Sequence, residues 1–460
     1  MPSTISEPLR SGRPPGPRTW RPFGHLGAFR RDVIGFLRKV AVEFGDVAYF
    51  KVGGVGIALL NHPDLIRDVL VTRHGEFTKG RPLEAAKQVL GDGLLTSEGK
   101  VHDRHRRLVA PAFRRDRLES YATAMTERAA ALSERWSGGE IVDMADHMLA
   151  LATEIAGETL LDTSLSEREV YEIGEALETV LQMFPRVSIP FAVHLLKLPL
   201  PSSRSFHQAV QRLDEVVRRI VRDGRQRAID TGSLISVLLA TQAVEDERDR
   251  LSDVEVRDEV LTLLLTALDT TSLALTWTWY LLSQEPAIEA RLHEEVDRVL
   301  GGRAVTAADV PQLTYARMVL TEAIRLYPPL YVIAREPRKD FAIGDYVIPA
   351  GTQVLMSPYL MHHDPRYYED PESFDPSRWK PERRATRPKF AYFPFGGGPR
   401  VCIGEGFAWM EGVIVLSTLA GRWRPLPAAG HRVETEPLIN LRPRGGMPMV
   451  LERRRPSTVP

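Results

Sequence analysis

The chain has 460 residues, 43% of them hydrophobic, and its 60 Lys and Arg balance its 60 Asp and Glu. That balance gives no ground for nucleic-acid binding or for charge-driven membrane attachment, and the apolar fraction is ample for a large core. Cys402 is the only cysteine, which excludes disulfides, iron–sulfur clusters and cysteine-based zinc sites within the chain and makes a reducing cytoplasm the simplest setting.

No repeat, low-complexity tract or Ser/Gly linker divides the sequence, so residues 1–460 are expected to form one domain. Residues 1–13 lack an apolar signal-peptide core, so neither a signal peptide nor a membrane anchor is expected. The proline-rich remainder of 1–24 is a stiff, non-helical lead-in. Residues 33–44 read as a helix, 46–52 and 57–61 as two strands joined at Gly53-Gly54, and 63–71 as a helix with Pro63 near its start. Residues 78–98 look irregular and glycine-rich. In the basic run that follows, His102 and Arg106 stand four apart and share a helix face; a solvated basic surface explains that pattern as readily as a site does.

Residues 118–160 and 167–183 carry helical periodicity, 185–201 is apolar and broken by proline, and a long helix is expected over 203–229. His194 in the apolar stretch reads as a packing residue. Ser252 and Glu255 form a capping box that opens a helix free of Gly and Pro as far as Gln284. At 1.5 Å per residue that helix is about 50 Å long. Its apolar part, 260–282, has the length of a membrane span, but its threonines and the central Asp269 favour a helix through a large core. Asp269 and Thr270 are out of place in such a helix; Thr270 bonding back one turn and Asp269 pairing with a distant base would account for both.

Helices are expected over 286–300 and 313–327, the second stopped by Pro328-Pro329. It contains Glu322 and Arg325, a face pair whose apolar flanks point to partial burial. Residues 330–335, 341–347 and 352–356 read as short strands, 362–392 as a long ordered loop, and 438–451 as turns and strands whose 441–446 tip reaches back. The stretch 393–404 reads Phe-Pro-Phe-Gly-Gly-Gly-Pro-Arg-Val-Cys-Ile-Gly, a tight loop running into a helix at Ile403. A cysteine at such a junction is favoured as a thiolate, suited to be one axial ligand of a haem iron, although a lone cysteine is more often a small buried hydrophobe.

Phe395, Gly398, Arg400, Cys402 and Gly404 reproduce, without a gap, the Phe-x-x-Gly-x-Arg-x-Cys-x-Gly haem-ligand motif of the cytochrome P450 family, and the chain resembles that family in three further places, in the family's order. The His102–Arg106 helix is similar to one that holds haem propionates. Thr266-Ala-Leu-Asp-Thr-Thr271 is similar to the family's acid–threonine segment, with Ala267 where Gly is commonest. Glu322-x-x-Arg325 is similar to the pair completed there by Arg378, in Phe374-Asp-Pro-Ser-Arg-Trp379.

The resemblance implies a mainly α protein with a smaller β-rich part, in a helix-rich triangular body. It implies haem b bound through Cys402, with His102, Arg106, Arg335 and Arg400 on the propionates and Phe395, Gly404, Ala267 and Thr271 against the cofactor. Asp269 and Thr270 would relay protons, and the Glu322–Arg325–Arg378 cluster would lock the cysteine loop. Thr266, Leu330, Tyr331, Val332, Ile333, Leu438 and Ile439 would line the pocket of a small apolar substrate: a fatty acid, terpenoid, steroid or similar compound hydroxylated with O2. Residues 185–201 would be its lid. Electrons would come from NAD(P)H through a reductase and a ferredoxin or flavodoxin, steered by a basic surface that includes Arg104, Arg107, Arg114 and Arg115. The protein would be a cytoplasmic monomer. A peroxide-driven peroxygenase or isomerase on the same scaffold, and a haem-binding sensor, are the alternatives.

Overall fold

A computed structural model describes residues 12–454, apart from 21, 188–199, 228–230 and 247. Most of the apolar 185–201 stretch, with His194, lies outside the described residues. The chain is mainly helical with small sheets, and it forms two compact units, each built from separated stretches.

The first unit comprises Met1–Glu84, Tyr331–Pro371 and Pro388–Val401. Val47–Val52 and Val55–Leu60 form the expected hairpin, Val47 opposite Leu60, and Gly53 and Gly54 turn it at φ 57° and 85°. Val55–Leu60 then pairs in parallel with Gln353–Met356, which pairs antiparallel with Ile333–Pro337, itself edged by Phe77–Thr78. Leu60, Val69, Phe77, Phe341, Met356 and Phe393 pack into one core.

The helix expected over 63–71 is α-helical only for Pro63–Arg67 and continues as a π turn, Asp68–Thr72. This turn presents the Leu70 carbonyl to Gly398, where a Cβ would collide with it; Gly398 also sits at φ 69°. Both facts require glycine there. The 78–98 stretch is not irregular throughout, since Arg81–Leu90 is a helix that buries Ala86, Val89 and Leu90. Its flanking glycines hid that i, i+3, i+4 pattern. The strand expected over 330–335 starts later, at Ile333, beyond the Pro328-Pro329 pair.

The second unit comprises Ala85–Leu330, Glu372–Arg387 and Cys402–Pro460. Its axis is the central helix Asp253–Gln284, which opens on the expected capping box. The apolar part of this helix is mostly buried within the protein, so it is a core helix. Met144–Thr159, Thr314–Leu326 and Glu405–Ala420 pack against it. The 118–160 periodicity is broken by Trp136-Ser-Gly-Gly and a strand, Ile141–Asp143, after which Asp143 Oδ1 caps the next helix by accepting from Ala145 N–H at 2.9 Å. Near the C-terminus Thr435–Pro437 pairs with Leu441–Pro443, and Leu441 reaches back, its N–H donating to Pro329 O at 2.8 Å and its carbonyl accepting from Trp277 Nε1 at 2.9 Å.

Candidate active site

Between Val256 and Trp279 the central helix buries every side chain except Arg257, Thr266, Ala267 and Thr270. The last three lie within about one turn and share a face. Halfway along a core helix, this strip is where the covering is incomplete. Thr270 Oγ1 donates to Thr266 O at 2.9 Å, and Thr266 Oγ1 to Thr262 O at 2.7 Å. Asp269 is buried and accepts from Arg442 Nη2 at 2.6 Å and from Asn440 Nδ2. The threonine thus bonds back one turn, and the acid is held by a distant base. Asn440 directly follows Leu438 and Ile439, both half-buried.

Thr271 is buried and hydrogen-bonds Glu411 on the Glu405–Ala420 helix. Burial pushes the Glu411 carboxyl up to about 8, against the pull of that hydrogen bond, so it is neutral at pH 7. Glu411, Asn440 and Arg442 were not singled out from the sequence. Glu411 alone left a signal there, as an acid within the apolar run Phe407-Ala-Trp-Met-Glu-Gly-Val-Ile-Val.

The helix after the cysteine starts at Glu405, with Gly404 as its N-cap. Burial pushes the Cys402 thiol up; the Gly404 N–H, which hydrogen-bonds the sulfur, and the charge of Arg106 pull it down. Cys402 nevertheless keeps accessible surface. With its side chain accessible, Cys402 is not the packed small hydrophobe of the alternative reading. Arg106 is half-buried and His102 buried, its Nδ1 3.3 Å from Asp103 Oδ1. Four of the arginines expected to form a docking surface face acids of this chain: Arg104 meets Glu255, Arg107 meets Asp249, Arg114 meets Asp116 and Arg115 meets Glu119.

In the first unit Arg335 is buried rather than on the surface, with Nη1 donating to Ala334 O at 2.8 Å. Arg400 Nη2 lies 3.5 Å from Phe77 O, and Phe395 is half-buried. Val332 and Ile333 are half-buried, but Tyr331 is withdrawn into the interior, where burial raises its phenol pKa. Leu330, in the second unit, is exposed.

The expected buried cluster is complete. Glu322 and Arg325 are both 0% exposed. Arg325 donates from Nε and Nη2 to the two Glu322 oxygens at 2.9 and 2.8 Å, and Arg378 Nε donates to Oε1 at 3.2 Å. Trp379 Nε1 and Asp375 N–H add bonds of 2.8 and 3.1 Å, and both arginines also bond Ser373. A carboxylate taken out of water needs this number of donors.

The family model "Cytochrome P450" matches residues 14–440. Cyclooctatin synthase of Streptomyces melanosporofaciens is 38% identical, with 94% of this chain and 96% of that protein covered. Pentalenene oxygenase of Streptomyces avermitilis is 32% identical, with 91% of each covered. Among solved structures, the cytochrome P450DA heme domain superposes with a TM-score of 0.85 at 26% identity, covering 97% of this chain and 98% of that one. The chain therefore belongs to the cytochrome P450 family. It is a haem-binding monooxygenase, an oxidoreductase, and its homologues include bacterial proteins of Streptomyces.

Proposed function

We propose that this monooxygenase hydroxylates a compact cyclic terpenoid, with Cys402 as the axial ligand of the haem iron. Relatives at 35% and 32% identity are named cyclooctat-9-en-7-ol 5-monooxygenase and pentalenene oxygenase. The first name denotes an alkenol and the second an alkene, neither bearing the carboxylate of a fatty acid, and this favours a terpenoid.

The residues fit a haem held through sulfur. Cys402 offers an accessible sulfur; burial and Glu405 keep its thiol raised, and the Gly404 N–H and Arg106 favour the thiolate against them. The bound haem supplies oxygen activation. The chain supplies the rest. His102, Arg106, Arg335 and Arg400 are assigned to the propionates through charge-assisted hydrogen bonds. Phe395, Gly404, Ala267 and Thr271 are assigned to the body of the cofactor. Thr270 is assigned to pass protons inward from Asp269, which must first leave Arg442 and Asn440. Thr266, Leu330, Val332, Ile333, Leu438 and Ile439 are assigned to the substrate.

Electrons are assigned to a ferredoxin or flavodoxin reduced from NAD(P)H. Because Arg104, Arg107, Arg114 and Arg115 each face a carboxylate of this chain, the salt dependence of that encounter is expected to be moderate rather than steep.

The observation that carries this reading is the Thr266–Ala267–Thr270 strip, an opening in an otherwise buried helix. The test is a titration of the holoprotein with cyclic terpenes, fatty acids and steroids, following the haem spin-state change. Cyclic terpenes and their monohydroxy derivatives are expected to shift it; a shift by fatty acids or steroids alone contradicts the assignment.

A further inference from the structure

The Gly99–Val109 helix turns a polar face inward. It buries His102, His105 and Val109, while Leu108 is half-buried and Val101 exposed. One valine and part of a leucine attach it weakly, since a fully buried aliphatic side chain is worth about 1.5–3 kcal/mol. Charged groups take over. Arg104 pairs with Glu255 of the central helix, and Arg107 with Asp249 just before it. Between them His105, 0% exposed, places Nδ1 2.6 Å from Glu259 Oε1 and Nε2 3.3 Å from Glu255 Oε1. Nδ1 faces a carboxylate oxygen, while Nε2 lies between Glu255 Oε1 and Arg104 Nη2, the latter at 3.1 Å, so the short Glu259 contact is the firm one and protonation of the ring adds charge to it.

We propose that His105 is a positioning residue: its clasp on Glu255 and Glu259 fixes the helix that bears His102 and Arg106 to the central helix, and so sets how firmly the chain retains haem. The inference rests on the reading that His102 and Arg106 meet the propionates.

The clasp has a definite pH sense. Burial lowers the His105 pKa, but hydrogen bonds and charge from Glu259, with a further hydrogen bond from Glu255, outweigh it and raise the value above 6.5. Arg104 on the same helix opposes them. Asp258 acts on Glu259, which burial itself pushes up, and is tied to Arg257 and to the Asp92 N–H. The Leu234–Thr241 helix, packed on the same side, carries no titratable side chain. Below the ordinary histidine value the His105 charge contributes in full while Glu259, itself pushed up by burial, stays ionised. As pH rises through the raised folded value the proton leaves, and two carboxylates then face a neutral ring.

The test measures haem transfer from the holoprotein to excess apomyoglobin across pH about 6 to 9, with hydrogen exchange of residues 99–109 alongside. Wild type is expected to lose haem faster as pH rises. His105→Gln is expected to transfer about tenfold faster at low pH, with the pH slope gone and exchange in 99–109 accelerated. Glu255→Gln, at a half-buried position, provides a milder variant with the same direction of change. His102→Ala is expected to speed transfer at every pH while keeping the slope. If His102→Ala leaves transfer unchanged, the propionate reading fails and the proposal loses its ground. If His102→Ala acts but His105→Gln and Glu255→Gln match wild type, the clasp itself is refuted.

Discussion

Glu411 is an acid within an apolar run, and the fold buries it completely. It is buried in a helix core, and burial pushes its carboxyl pKa up to about 8. The folded state therefore binds a proton that the unfolded state releases near 4.5, so stability falls as pH rises between those values. Glu411→Gln keeps shape and hydrogen bonding without the ionisation. It is expected to flatten the pH dependence of the thermal midpoint in that window, while changing stability near pH 5 little; an unchanged slope would place the buried charge elsewhere. Cys402, Asp269 and Glu322 were legible from the sequence because each is chemically odd where it stands: a lone cysteine on a glycine loop, an acid in a core helix, an acid with apolar flanks. Asn440 and Arg442 were not, because what they do depends on meeting Asp269, 171 and 173 positions away.

At the scale of elements, punctuation was readable and pairing was not. The capping box at Ser252 and the Gly53-Gly54 turn both sit at their expected places. The π turn Asp68–Thr72 left no such mark, because it answers to the Gly398 loop that packs on it. The Arg81–Leu90 helix was hidden by neighbouring glycines. The Glu322 cluster ties the Thr314–Leu326 helix to the segment around Pro376–Trp379, and its family resemblance named Arg378 but left out the Trp379 and Asp375 donors. With five donors converging on one buried carboxylate, Glu322→Gln turns an amide N–H2 towards arginine and indole donors. The expected cost is about 3–5 kcal/mol, read as a lowered denaturation midpoint of the holoprotein. A loss below about 1 kcal/mol, the range of a solvent-exposed pair, would contradict the burial argument.

Across the whole molecule, the four motif segments keep the family's order, and the 393–404 loop passes from one compact unit into the other at Cys402. The sequence could be read as far as the reaction class because that chemistry needs few residue types at fixed spacing. The substrate was less legible, since its contacts are drawn from segments far apart in the chain. The most direct measurement is the ferrous–carbon monoxide spectrum of the purified holoprotein beside that of Cys402→Ser. The red-shifted band of sulfur ligation is expected in wild type, and its loss in Cys402→Ser with haem still bound. Persistence of that band in Cys402→Ser, or its absence from freshly reduced wild type, would contradict the assignment of Cys402.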